Sequence, residues 1–183
     1  DSEHVPYGTR TPEQIYGFIE PIFRSLVDAG CAVIVVACNT VTTTLIERLR
    51  DTFAIPLVAV EPMVKPASQL TGSKVITVCA TPTTLTSTRY AELKAQFAKN
   101  ITVIEPDCSD WSGLIEKNEI SKEEIARDIL PSIEQGADVI VLGCTHYHWI
   151  EQEIKEIVGN KAIVLQPEEA LISQLKRVLA QLA

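Results

Sequence analysis

Aromatic side chains are scarce in these 183 residues, at 5%, and positive charge is outweighed: 16 Lys and Arg stand against 24 Asp and Glu, a formal net charge of −8. No run of Lys or Arg is longer than a pair. That argues against attraction to nucleic acid or to an anionic lipid surface, both of which need clustered cations. An apolar run of membrane-spanning length is also missing. The longest nearly uncharged segment, Ala29 to Leu45, is broken by Gly30, Asn39 and several Thr residues, and is expected to be a buried strand followed by a turn. No secretory leader pattern is visible in the first residues, so none is expected. Five Cys residues, an odd number with no CxxC pair, fit free thiols in a reducing cytoplasm better than a disulfide framework.

What is present is Ala, Val, Ile, Leu and Thr, within a hydrophobic content of 46%. This is enough for one sizeable core, or for two small domains sharing a cleft. Thr11-Pro12-Glu13 reads as a helix start, and the helix it opens runs over 12–29, with Pro21 expected to kink or divide it. Strands are expected at 31–37, 55–60, 74–79, 101–104, 139–142 and 162–165. Helices are expected at 41–53, up to Leu70, and at 86–98, 111–117, 121–135, 147–158 and 168–182. Strands alternating with helices predict an α/β fold with parallel sheets flanked by helices.

Two segments echo each other. GCAVIVVACNT (30–40) and GADVIVLGCTH (136–146) share Gly, Val, Ile, Val and Cys at five of eleven positions. Each follows a helix containing a Pro and precedes a helix and a further strand, which points to an internal duplication. Resemblance by composition alone would explain two buried strands, but not why both end on Cys followed by small polar residues. In open α/β sheets ligands bind beyond the carboxyl ends of strands, where the next helix offers free N–H groups. Cys38 and Cys144 both stand there, and the helix terminus is expected to lower a thiol pKa. A pseudo-twofold would set the two thiols face to face. Opposed thiols suit inversion of a carbon centre, one acting as base and the other as acid on the opposite face. A disulfide is the weaker alternative. So is a zinc site from Cys38, Cys144, His146 and His148, whose spacing fits no standard metal pattern. Cys31 and Cys79 are expected to be buried and inert, Cys108 a loop thiol, and His148 a surface residue.

Taken in order, VPYG (5–8), ACNT (37–40), VKPA (64–67), ATPTT (80–84) and LGCTHY (142–147) resemble the cofactor-independent glutamate racemases over nearly the whole chain. The resemblance implies two pseudo-symmetric α/β domains with the active site in the cleft between them: 1–61 plus 167–183 carrying Cys38, and 62–166 carrying Cys144. It implies that Cys38 and Cys144 are the catalytic thiols, the Cys144 side taking the α-proton from L-glutamate and the Cys38 side from D-glutamate. It places Tyr7, Gly8, Asn39, Thr40, Thr81, Thr84, Thr145 and His146 against the substrate, with His146 also assisting Cys144. Asp1 aligns with an acidic residue seven positions before the motif glycine. On their own, Asn39, Thr40 and Thr145 could equally be helix caps, and His146 a structural histidine.

No cofactor and no metal are implied. The implied partners are the small-molecule substrate glutamate and a second copy in a homodimer, with neither nucleic acid nor membrane. The implied setting is the bacterial cytoplasm, where D-glutamate serves peptidoglycan synthesis. Two departures stand out. The family opens with a strand ending in Asp-Ser-Gly, whereas this sequence starts after that motif. The family's Val-Asp-Ser-Gly near the C-terminus reads VLQPEE here. Action on another small acid such as aspartate or a malonate, or a silent role in binding an amino acid or a partner, therefore remain as alternatives.

Overall fold

The computed structural model describes residues 1–182. Helix α1 (Pro12–Asp28) begins with a capping box: the Thr11 hydroxyl accepts from the Gln14 N–H at 3.3 Å and the Gln14 side chain accepts from the Thr11 N–H at 3.0 Å. Pro21 does not divide α1, which runs through it as one helix. Ile15, Ile19 and Phe23 recur at four-residue spacing on one buried face, and this packing holds the helix through the missing hydrogen bond. Strand β1 (Ile34–Val36), helix α2 (Asn39–Thr52) and strand β2 (Leu57–Ala59) complete the first unit. The two strands form a parallel pair in the register Ile34↔Leu57 to Val36↔Ala59. The expected longer strands shrink to three residues because each has one partner over only that length.

Beyond the crossover at 60–63 lie α3 (Val64–Leu70), β3 (Val75–Cys79), α4 (Pro82–Leu85), α5 (Thr88–Phe97) and β4 (Thr102–Ile104). The helix expected at 86–98 is α5, capped by Ser87, whose hydroxyl accepts from the Tyr90 N–H at 3.2 Å, and the Thr-rich turn before it holds the short α4. Then come α6 (Trp111–Glu116), α7 (Lys122–Glu134), β5 (Val139–Leu142), a 3-10 turn (Thr145–Ile150), α8 (Glu151–Val158), β6 (Ile163–Leu165) and α9 (Glu168–Leu182). The four later strands form an all-parallel sheet in the order β4-β3-β5-β6. Its central strand β5 is buried at every residue, as a parallel strand covered on both faces must be. Ile140 and Leu142 face a core shared with α6, α7, α8 and the 3-10 turn, while Val139 and Val141 face a second core with α3 and α5.

Helix α9 packs against β2 but buries none of its residues. No helix among the described residues is long and apolar enough to cross a membrane. The two echoing segments take matching backbone conformations at both ends. Gly30 and Gly136, the first residues of the two echoing segments, both take positive φ, +75° and +95°, at the turns leaving α1 and α7. At the other end, Cys38 (φ −137°, ψ 116°) and Cys144 (φ −143°, ψ 136°) adopt nearly the same extended conformation as N-caps of the following helical turns.

Candidate active site

Parallel strands deliver their C-terminal residues to one edge of a sheet, and here two sheets deliver them to one cavity. It has a volume of about 160 Å³ and is lined by Val5, Pro6, Tyr7, Gly8, Ala37, Cys38, Asn39 and Thr40 from the first unit, and by Thr81, Ser112, Cys144, Thr145 and His146 from the second. Of the candidate site residues only Thr84 is absent from this wall. It lies behind it, fully buried, and its hydroxyl is 3.2 Å from that of Thr40 and 3.1 Å from that of Thr81. Thr40 and Thr81 are themselves 2.9 Å apart, so three hydroxyls link α2 to the turn before α4. Further bonds join the units: the Thr145 hydroxyl donates to the Ala37 carbonyl, and the Thr83 hydroxyl and N–H both donate to the Gly8 carbonyl, at 2.7 and 3.2 Å.

The two thiols differ in their surroundings. Cys144 Sγ lies 3.8 Å from His146 Nδ1, and His146 Nε2 lies 2.6 Å from Glu116 Oε1. Cys144, His146 and Glu116 thus form a chain of thiol, imidazole and carboxylate. Glu116 has no sequence motif to mark it, and neither has Ser112. The available signal was their spacing, four residues apart on one face of α6. Cys38 caps α2, where the Thr40 hydroxyl and the backbone at Thr40 and Val41 favour its thiolate.

The expected lowering of the thiol pKa values is not what the structure shows. Burial is the largest influence on both and pushes them up, Cys144 to about 12, with the hydrogen bonds at the helix starts offsetting only part of it. Cys144 caps a 3-10 turn rather than an α-helix, so the aligned peptide dipoles behind it are few.

Asn39 is 2% exposed, and both its amide nitrogen and its oxygen are buried without a hydrogen-bond partner. Such a group costs free energy unless something else satisfies it. Its position on the wall makes a polar ligand the natural partner. Among the described residues no group of three or more His, Cys, Asp or Glu side chains is gathered as metal ligands.

The other three thiols depart in part from expectation. Cys79 is buried as expected, but Cys31 is exposed, because it precedes the short β1 ladder, and Cys108 is buried at 1% exposure in the core beneath Tyr147. His148 is half-buried rather than on the surface, its Nε2 enclosed without a partner, and desolvation lowers its pKa.

The chain is similar to known proteins along nearly all its length. The family model for Asp/Glu/hydantoin racemases matches residues 1–175. A glutamate racemase of Ralstonia nicotianae is 37% identical over 98% of this chain and 66% of its own length. One from Herpetosiphon aurantiacus is 37% identical over 98% of this chain and 72% of its own. The chain therefore spans about two thirds of the length of these relatives. Among solved structures, Escherichia coli glutamate racemase in complex with L-glutamate and an activator superposes with a TM-score of 0.88 at 26% identity, covering 97% of this chain and 69% of that one. The Francisella tularensis enzyme in complex with D-glutamate gives 0.79 at 26% identity, covering 99% and 69%. Strand-end thiols facing one cavity and a match running through both units lead to the same conclusion: the chain belongs to the Asp/Glu/hydantoin racemase family.

Proposed function

We propose that the protein interconverts L- and D-glutamate by proton transfer at Cα between two cysteines. The observation that carries this reading is the placement of Cys38 and Cys144 on one small cavity, each at the end of a parallel strand and contributed by different units. The named relatives, and the two solved structures holding L- and D-glutamate, support glutamate as the substrate.

In the L-to-D direction, Cys144 as thiolate takes the α-proton, its sulfur forming the S–H bond as the Cα–H electron pair moves toward the carboxylate. Cys38 then donates its own proton to the opposite face and is left as thiolate. The reverse direction exchanges the roles. His146, held by Glu116, is placed to accept the Cys144 proton before the reaction and so generate the thiolate that burial disfavours. The α-carboxylate must gain negative character as the proton leaves. The Asn39 amide and the backbone N–H groups at the starts of α2 and of the 3-10 turn are the donors that can stabilise it in an enclosed site.

The two units, 1–61 with 167–183 and 62–166, act in this reading as separate domains closing on the substrate. We further place the enzyme in the bacterial cytoplasm as a homodimer supplying D-glutamate for peptidoglycan, on the strength of the family. The test is incubation with D-glutamate in D2O, following optical rotation and Cα deuterium together. Inversion with deuterium uptake is expected. Uptake without inversion would leave one working thiol, and a folded protein giving neither signal would refute the assignment.

A further inference from the structure

Glu116 reaches His146 from helix α6, and little in α6 itself holds it there. The helix has six residues, and its N-cap Asp110 makes no side-chain cap bond. A helix this short is not stable by its own hydrogen bonds, so packing must fix where it stands. The Glu116 side chain is partly exposed and gives little of that packing. The 2.6 Å contact with His146 therefore depends on whatever docks α6 against the 3-10 turn.

Trp111, the first residue of α6, supplies that dock. It is buried, and its ring meets that of Tyr147, the residue after His146, edge to face with centroids 5.2 Å apart and planes at 67°. The two residues also share one acceptor: the Cys108 carbonyl takes the Tyr147 hydroxyl at 2.8 Å and the Trp111 backbone N–H at 3.3 Å. Apolar contact is not directional and would not by itself choose how the indole is turned. Its Nε1 donates to Asp128 Oδ2 on α7 at 2.9 Å, and a bond to an ionised acceptor selects one orientation. Asp128 is braced in turn, for the Arg127 guanidinium donates to both its oxygens, at 2.8 and 3.2 Å. Ile125 and Ile129 of α7 lie in the same core as Trp111 and Tyr147, so α7 is the wall against which the indole is held.

We infer that Trp111 and Asp128 are positioning residues for the chain of Cys144, His146 and Glu116. The Asp128 carboxylate orients the indole, the indole docks α6 on Tyr147, and α6 then keeps Glu116 on His146. Neither residue lines the cavity. The inference rests on the glutamate reading and adds to it the source of the geometry by which His146 takes the Cys144 proton.

The test is a double-mutant cycle on racemisation of glutamate. Trp111→Phe and Asp128→Ala should each lower kcat by about threefold to tenfold with KM unchanged. Asp128→Asn, whose amide oxygen can still accept from the indole, should keep most of the wild-type rate. In a Glu116→Gln background Trp111→Phe and Asp128→Ala should have no further effect, because the group they position is already lost. Thermal denaturation of each variant reports its folding, and Asp128→Ala carries the test if Trp111→Phe does not fold. Losses of the same size in the Glu116→Gln background overturn the inference, since they would show a merely structural role. So does an unchanged kcat in both variants, or a loss seen in KM alone. A folded wild type that does not racemise glutamate removes the reading of the site, and the inference falls with it. In an active wild type the cycle alone decides, so the two failures are told apart.

Discussion

Glu116 holds the outer nitrogen of His146 at 2.6 Å while the inner nitrogen faces Cys144. A carboxylate in this position fixes the ring and stabilises the imidazolium that forms when the thiol gives up its proton. Glu116→Gln should therefore lower kcat/KM by about tenfold to a hundredfold, less than the ~10²–10⁴ that a general acid–base group itself contributes, because Glu116 acts through His146. KM should change little, because Glu116 does not line the cavity. A loss confined to KM would show that the pair serves binding instead.

The thiols themselves give the sharpest contrast. Cys38→Ala and Cys144→Ala should each abolish racemisation, and each should keep Cα deuterium exchange only for the enantiomer whose proton faces the surviving thiol. NMR of D- and L-glutamate in D2O reads this directly. Two single variants that both still racemise would rule out the two-thiol mechanism.

Burial of Cys144 also links its ionisation to stability. Its folded pKa is raised to about 12 from an unfolded value near 9, so the folded state holds the proton more tightly between those limits. Below pH ~9 the thiol is neutral in both states. Above it, the unfolded chain releases the proton first and stability falls as pH rises toward 12. Denaturant midpoints measured from pH 8 to 11 should fall less steeply in Cys144→Ala than in the wild type. Parallel slopes would contradict the account.

Gly8 is a steric prediction. A Cβ there would lie 2.6 Å from Cβ and Cγ2 of Thr81, whose hydroxyl bonds to Thr40 and Thr84. Gly8→Ala must push the first unit away from that turn, at a cost of about 1–3 kcal/mol. Thermal denaturation should show the loss of stability, and activity should fall more than stability alone explains. An active variant of wild-type Tm would mean that the turn yields freely.

Away from the cleft, Asp138 ties the start of β5 to the turn before β3. It accepts from the Thr71 hydroxyl at 2.6 Å and from the Gly72 and Ser73 N–H groups at 2.8 Å each. Burial opposes its ionisation, but these bonds outweigh it and hold the carboxyl below its usual range. Its contribution is present above the unfolded value and is lost as pH falls through the folded one. Asp138→Ala should cost about 1–3 kcal/mol at neutral pH, and the difference from wild type in denaturant unfolding should shrink in acid. A difference that stays constant with pH would overturn this reading.

The two thiols could be found from sequence because the duplication repeats both their context and their residue type: a glycine turn, an apolar strand, then Cys. Element types followed from period and capping signals in the same way, as at Thr11. Ser112 and Glu116 escaped because a helix brings the one to the cavity and the other to His146 from a part of the chain with no motif, and only packing decides which face of α6 meets His146. The exposure of Cys31 and the burial of the loop thiol Cys108 were not legible for a similar reason. Burial depends on where the β1 ladder stops and on which loop Tyr147 covers, neither of which is a local property. Pro21 left α1 whole because tertiary packing overrode a local penalty.

The bonds that close the cavity are all between uncharged groups: Thr40 with Thr81, Thr83 with Gly8, and Thr145 with Ala37. The tie between α5 and the crossover is different, for there Arg89 clasps Glu61 through two nitrogens, at 2.6 and 3.0 Å. Ionic strength screens the second kind of contact and hardly touches the first. Added salt would therefore loosen the tie between α5 and the crossover while leaving the bonds across the cavity in place, so the two kinds of contact between the units would part company as ionic strength rises.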